Sequence, residues 1–266
     1  MGCLALGLAG WAFWLEPASL RNQDYHVTLQ RWPSECDGLR VAILADLHVG
    51  SPYKGLEALE AVVDLAEQAK VDLVLLAGDF VIHGVVGGNF VTPEASAKVI
   101  GRLSAPAFAV LGNHDWWLDA ERVSTALEQQ GIPVFEDSAQ EIVIASCRFW
   151  LAGVSDLWEG PHDIEAALAP IPANAPTLLF THNPDIFPRV PDRVAITFAG
   201  HTHGGQVYLH GIGRPIVPSE FGERYAIGHI VEDGKHLFVS PGIGTSILPV
   251  RFLVPPEISI VRLNAL

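Results

Sequence analysis

The sequence of 266 residues predicts an α/β fold, and three observations carry that expectation. Short apolar runs recur from residue 40 onward, each run closes on a polar cluster, and segments with helical spacing separate the runs. The runs are Arg40 to Ala45, Val71 to Ala77, Ala107 to Leu111, Thr177 to Phe180 and Val194 to Ala199. Each is four to seven residues long and rich in Val, Ile, Leu or Phe, as expected of strands buried on both faces.

The N-terminus differs from this rhythm. Residues 1–15 carry no charge, end at Glu16-Pro17, and place Trp11, Phe13 and Trp14 near that boundary. A helix of this length reaches roughly 22 Å, short of a hydrocarbon core of about 30 Å, and no basic n-region or small-residue cleavage site is visible. Residues 1–20 are therefore expected to face a membrane, as a short anchor or an interfacial helix, with a buried terminal helix as the bland alternative. Met1-Gly2-Cys3 has the look of a lipidation signal, but Leu6 stands where myristoylation requires Ser or Thr.

Between the first two runs, Leu56, Leu59, Val62, Val63 and Ala66 share one helical face while Glu57, Glu60, Asp64 and Glu67 take the other. Further helices are expected at Pro93 to Leu103, opened by Thr92 and Pro93, and at Asp119 to Gln130, closed by Gly131. The spacing from Asp46 to Asp79 to Asn113 is that of a strand, a helix and a return, so right-handed crossovers gather the polar clusters at the carboxyl edge of a sheet. Residues 132–156 and Arg224 to Ser240 have the pattern of paired strands, the latter around a turn at Glu232-Asp233-Gly234-Lys235, which implies a second, partly antiparallel sheet. The tail ends in a strand carrying Ile258, Ile260, Val261 and Leu263. One catalytic domain is expected over residues 38–266.

Composition narrows the chemistry. The chain holds 16 Lys and Arg against 30 Asp and Glu, a net charge of −14, which opposes nucleic-acid binding through a basic face. A phosphate-handling site in such a protein needs another source of positive charge, and bound metal is the obvious one. Cys3, Cys36 and Cys147 are odd in number and never form a CxxC pair, so they suggest neither a disulfide framework nor a thiolate metal site.

Asp46, His48, Asp79, Asn113, His182, His201 and His203 supply carboxylate, imidazole and amide donors, a set suited to Mn, Fe, Zn or Ni. With Asp79 bridging, these seven side chains offer four bonds to each of two divalent ions and leave positions for water and substrate. Two carboxylates against two such ions leave about two positive charges, a local anion site.

The order of the clusters, D-x-H, G-D, G-N-H-D, H and G-H-T-H, resembles the calcineurin-like metallophosphoesterase superfamily over residues 38–210. It resembles most a membrane-associated bacterial branch, through Gly204-Gly205-Gln206, the stretch Pro241 to Ser246, Pro249-Val250-Arg251 and Pro256-Glu257-Ile258. The resemblance implies a four-layer α/β/β/α sandwich of two mixed sheets flanked by helices. It also implies that Asp46, His48, Asp79 and His203 hold one ion and Asp79, Asn113, His182 and His201 the other. His114 then protonates the leaving oxygen or steadies the phosphoryl group, with Asp115 orienting its imidazole or capping a helix, and a hydroxide held by the two ions is the nucleophile.

The substrate implied is a phosphodiester or pyrophosphate at a bacterial membrane. One family activity that fits is cleavage of UDP-2,3-diacylglucosamine in lipid A synthesis, and the alternative of another class is a non-catalytic metal-binding scaffold. His83 and Asn89 lie in a Gly-rich loop after Asp79 and either touch substrate or face solvent; Trp116 and Trp117 either wall the site or pack in the core. His162, His210, His229 and His236 fall outside the pattern.

Overall fold

The computed structural model describes residues 2–266, so of the apolar N-terminal segment only Met1 lies outside the described residues. Helix α1 (Gly2–Gly10) runs through a π-helical turn at Trp11–Leu15 into α2 (Glu16–Ala18). Among the described residues no helix is long and apolar enough to cross a membrane.

Two mixed sheets pack face to face. The first contains β1 (Arg21–Leu29), β11 (Glu257–Ala265), β2 (Leu39–Leu44), β3 (Leu73–Ala77) and β4 (Ala107–Val110) in that order, parallel except where β11 meets β2. The second contains β5 (Ser138–Ile144), β6 (Cys147–Val154), β7 (Thr177–Thr181), β8 (Ile196–Ala199), β10 (Lys235–Val239) and β9 (Gly228–Glu232). Its two outer pairs are antiparallel and its centre parallel. The β9–β10 turn has Asp233 and Gly234 at φ 52° and 78°, the left-handed pair that a tight hairpin favours.

Helices α3 (Leu56–Ala69), α4 (Pro93–Ile100) and α5 (Asn113–Glu128) cover the outer face of the first sheet. The short α6 (Ile164–Leu168) and a 3₁₀ turn at Pro184–Arg189 cover the second, giving the four layers. Between the sheets, Val41, Ile43, Leu75, Val110, Phe149, Phe180, Phe198 and Val261 form a buried core. Each such side chain stabilises the fold by roughly 1.5–3 kcal/mol through its buried area.

Three features depart from the sequence expectations. Strand β1 lies before residue 38 yet pairs along its whole length with β11, so the sheet begins earlier than a domain drawn from residue 38. Helix α5 starts at Asn113, not Asp119; Asp119 breaks it with extended backbone and then caps the remainder by accepting from the Arg122 N–H at 3.1 Å. Cys36 and Cys147, expected as bystanders, form a buried disulfide across 111 residues and tie the turn before β2 to the start of β6. Their pairing is a product of tertiary packing that spacing along the chain does not encode.

Candidate metal centre

The carboxyl ends of β2, β3, β4, β7 and β8 meet at one edge of the sandwich and bring all seven expected ligands together. All seven are buried. Asp46, His48, Asp79, His201 and His203 hold left-handed backbone conformations, with φ between 39° and 70°. Such residues raise the folded-state energy by about 1–3 kcal/mol each and persist where their surroundings over-determine them.

Here the surroundings are close-packed glycines. A Cβ on Gly112 would lie 2.3 Å from Asp79 Oδ1, and one on Gly242, itself at φ 70°, would lie 2.7 Å from Asp46 Cβ. The second of these sits in the segment after β10, which Arg251 holds down from a fully buried position. Its guanidinium donates to the carbonyls of Gly244, Val254 and Pro241 at 2.6 to 3.0 Å.

The donor atoms converge. One set comprises Asp46, His48, Asp79 and His203, whose ligand atoms all lie within 4.8 Å of one another. Asp79 Oδ2 lies 3.4 Å from His48 Nε2 and also 3.4 Å from His182 Nε2. His201 Nδ1 is 3.1 Å from His182 Nε2, which extends a second set on the other side of Asp79. Asn113 joins that side from the first turn of α5, and its Oδ1 is buried without a hydrogen-bond partner.

Backbone carbonyls select the tautomers. Val81 O accepts from His48 Nδ1 at 3.1 Å and Ala77 O accepts from His182 Nδ1 at 2.7 Å, which frees each Nε2 to face the centre. His48 Nε2 then stands 3.1 Å from His203 Nε2, two imidazole nitrogens directed at each other with no cationic side chain between them. Divalent ions fit this donor set, because they accept the converging imidazole lone pairs, satisfy the orphaned Asn113 oxygen and offset two buried carboxylates.

Electrostatics agree with that fit. Burial pushes His48 and His201 down to about 3 and His203 well below its ordinary value, so these imidazoles are neutral ligands at neutral pH. Burial also opposes the His182 and Asp79 charges, but each overrides it for the other: Asp79 is held well below the carboxylate range and His182 well above the imidazole range. Burial and the Asp79 charge push Asp46 up to about 7. Without a cation, a proton on His182 does part of its work.

His114 is no part of either donor set. Its Nε2 lies 3.9 Å from Asp79 Oδ2, its ring packs 4.6 Å from that of His48, and its Nδ1 is buried without a partner. The expectation that Asp115 orients this imidazole is overturned. The Asp115 carboxylate accepts instead from the backbone N–H groups of Asp79, Phe80, Val81 and Gly112 at 2.8 to 3.2 Å. At the third position of α5 it points back over its own helix start, so it caps that helix and pins the Asp79 turn.

Other residues sort cleanly. Trp117 packs 4.8 Å from the His114 ring and 5.6 Å from His83, whereas Trp116 turns toward the core between the first sheet and its helices. Asn89 is held by its backbone, donating to Gly50 O at 2.8 Å. His229 and His236 stack on each other in the β9–β10 hairpin and belong to neither donor set. Sequence reasoning missed the end of β6, where Trp158 packs 4.4 Å from His201 and the buried Asp156 caps the turn that carries it. The signal was a polar pair, Ser155-Asp156, closing one more apolar run.

Carboxylates, imidazoles and an amide gathered at the strand ends of an α/β/β/α sandwich define a metal-dependent hydrolase of phosphoric esters. The chain belongs to the calcineurin-like phosphoesterase family, whose profile matches residues 39–205. It is similar to phosphodiesterase YaeI of Escherichia coli (strain K12), 33% identical over 230 residues that cover 84% of this chain and 82% of that one. It is likewise similar to the metallophosphoesterase YkuE of Bacillus subtilis (strain 168), 29% identical over 261 residues, covering 96% and 90% respectively. A Danio rerio transmembrane protein with a metallophosphoesterase domain is 25% identical over 253 residues, 89% of this chain and 55% of that protein. Among solved structures, the Haemophilus influenzae NAD nucleotidase has a TM-score of 0.50 at 18% identity, covering 77% of this chain and 45% of that chain, a likeness of fold alone.

Proposed function

We propose that the protein is a phosphodiesterase working with two divalent ions, of the Mn, Fe, Zn or Ni type, at a membrane surface. The observation that carries the two-ion reading is the position of Asp79 Oδ2, equidistant at 3.4 Å from the Nε2 atoms of His48 and His182. Asp46, His48, Asp79 and His203 hold one ion, and Asp79, Asn113, His182 and His201 the other. Bound ions of this kind supply Lewis acidity to a phosphoryl oxygen and activate water near neutral pH.

The chain's own groups do the rest. Asp115 fixes the Asp79 turn through three backbone N–H groups and ties it to the start of α5 through the Gly112 N–H, so the shared carboxylate does not drift. His114 presents Nε2 beside the ligands and hands a proton to the departing ester oxygen. Burial lowers the affinity of His114 for a proton, so the imidazole gives up a proton more readily than a free one.

Two features support the membrane location. Leu4, Leu6, Leu8, Trp11, Phe13, Trp14 and Leu15 are exposed along the uncharged helical segment. That segment is fastened to the catalytic domain, with Arg251 N–H donating to Ala12 O at 2.9 Å and Tyr53 hydroxyl to Phe13 O at 3.2 Å. Apolar side chains with Trp at the boundary suit a helix lying in the interface. The Cys36–Cys147 disulfide favours the exterior, oxidising side of that membrane.

The test uses protein stripped with a chelator and reloaded in turn with Mn, Zn or Ni. Bis(p-nitrophenyl) phosphate is expected to be cleaved faster than p-nitrophenyl phosphate, only after reloading, and the protein is expected to cosediment with phosphatidylcholine vesicles. Monoester preference, or full activity without metal, contradicts the catalytic reading; a protein that stays in the supernatant contradicts the membrane reading.

A further inference from the structure

Two tryptophans stand at the mouth of a site whose ligands are buried. Trp117 is 44% exposed and Trp158 48% exposed, and each touches a different imidazole of the centre, His114 and His201 respectively. Exposed indoles in ring contact with a buried polar site offer apolar area where a ligand would bind.

Their mounting is built. The Trp117 Nε1–H donates to Glu159 Oε1 at 2.7 Å, which joins the first turn of α5 to the turn after β6. In that turn the buried Asp156 accepts from the N–H groups of both Trp158 and Glu159 at 2.9 and 3.0 Å. With its only donor engaged, Trp117 offers a ligand its ring and nothing else. The Glu159 carboxylate, bonded to the Trp117 indole and next in sequence to Trp158, also sets a sign: it repels a second phosphate lying along this rim and interrupts an apolar track for an acyl chain.

We propose that Trp117 and Trp158 determine specificity by stacking a flat ring on the retained alcohol of the substrate, which makes that substrate a phosphodiester of a nucleoside. This rests on the phosphodiesterase reading above and narrows it. A ring needs one indole face and no charge partner, and stacking of a base on an aromatic side chain is tolerant of the base's identity.

The test compares thymidine 5′-(p-nitrophenyl phosphate) with ethyl p-nitrophenyl phosphate, which share a leaving group and differ in the retained one, on metal-reloaded full-length protein. Wild type is expected to favour the thymidine diester by about tenfold or more in kcat/KM, expressed in KM, on the magnitude usual for one base stacked on an aromatic side chain. The double variant Trp117→Leu/Trp158→Leu is expected to bring that ratio close to one, and Trp117→Phe/Trp158→Phe to keep most of it. The ratio cancels any change in the chemical step. A ratio near one in wild type, or one unchanged in the Leu variant, overturns the assignment. If neither diester is cleaved, the phosphodiesterase reading fails by itself, and the assignment is decided by equilibrium binding: tighter binding of thymidine 5′-monophosphate than of ethyl phosphate, lost in the Leu variant, upholds it, and equal binding overturns it.

Discussion

The two edges of the sandwich are made from opposite ends of the same strands, and they are built on opposite terms. At the amino edge, Cys36 and Cys147 join the approach to β2 with the start of β6, Trp32 donates through Nε1 to Cys36 O at 2.8 Å, and its ring packs 5.6 Å from Phe149. That edge is apolar, cross-linked and satisfied. At the carboxyl edge of the same two strands lie Asp46 and Asp156, among buried carboxylates, imidazoles on left-handed backbone, and orphaned atoms such as Asn113 Oδ1 and His114 Nδ1. One edge supplies stability; the other spends it on a geometry that only a bound cation completes.

The largest effect separating the edges is expected from His114→Ala. Removing the proton donor is expected to lower kcat by about 10² to 10⁴, with metal content and melting temperature unchanged, because His114 is not a ligand. Steady-state kinetics with metal analysis checks this; a variant as active as wild type would take His114 out of the reaction. At the amino edge the converse holds. Replacing both Cys36 and Cys147 with Ala is expected to destabilise by about 2–5 kcal/mol in urea denaturation, since the closed loop is long, while the folded variant binds metal as wild type does. Loss of metal from a folded Cys-free variant would show that the edges are not independent.

Asp115 sharpens the contrast because it stabilises and positions at once. Asp115→Ala strands three backbone N–H groups at the Asp79 turn and one at the start of α5, so a loss of about 3 kcal/mol is expected together with metal affinity weakened about 10- to 100-fold. Calorimetric metal titration of the variant separates the two; weaker folding with undiminished affinity would reduce Asp115 to a helix cap.

The smallest effect is a proton count. In the metal-free protein Asp79 holds the His182 proton well above the ordinary imidazole range, and a cation must displace it. The metal-free state, with Asp46 also pushed up to about 7, therefore binds more protons than the loaded one, so affinity rises with pH, by up to about tenfold per unit for each proton released. Titrations in two buffers of different ionisation heat are expected to show that release at pH 7, and equal heats in both would contradict it.

Most of the carboxyl edge was legible in the sequence because each ligand follows within four residues of the end of a buried run. Asp46, Asp79 and Asn113 end β2, β3 and β4 by the arithmetic of strand, helix and return. Trp158 escaped because β6 pairs antiparallel with β5, which reads as a hairpin, while its other neighbour β7 is parallel and carries its end to the site. Strand β1 escaped because only Tyr25, Val27 and Leu29 among its nine residues give it an apolar face. The true partners of Asp115 are backbone N–H groups, which no side-chain pattern announces. The disulfide joins residues too distant in sequence for spacing to pair.

The central claim is that one carboxylate, Asp79, serves two ions. Metal content per chain after saturation and desalting, measured by mass spectrometry on wild type and on Asp79→Asn, tests it most directly. The account predicts two ions per chain in wild type and loss of both in the variant; a single ion in wild type, or two retained without the Asp79 carboxylate, would contradict it.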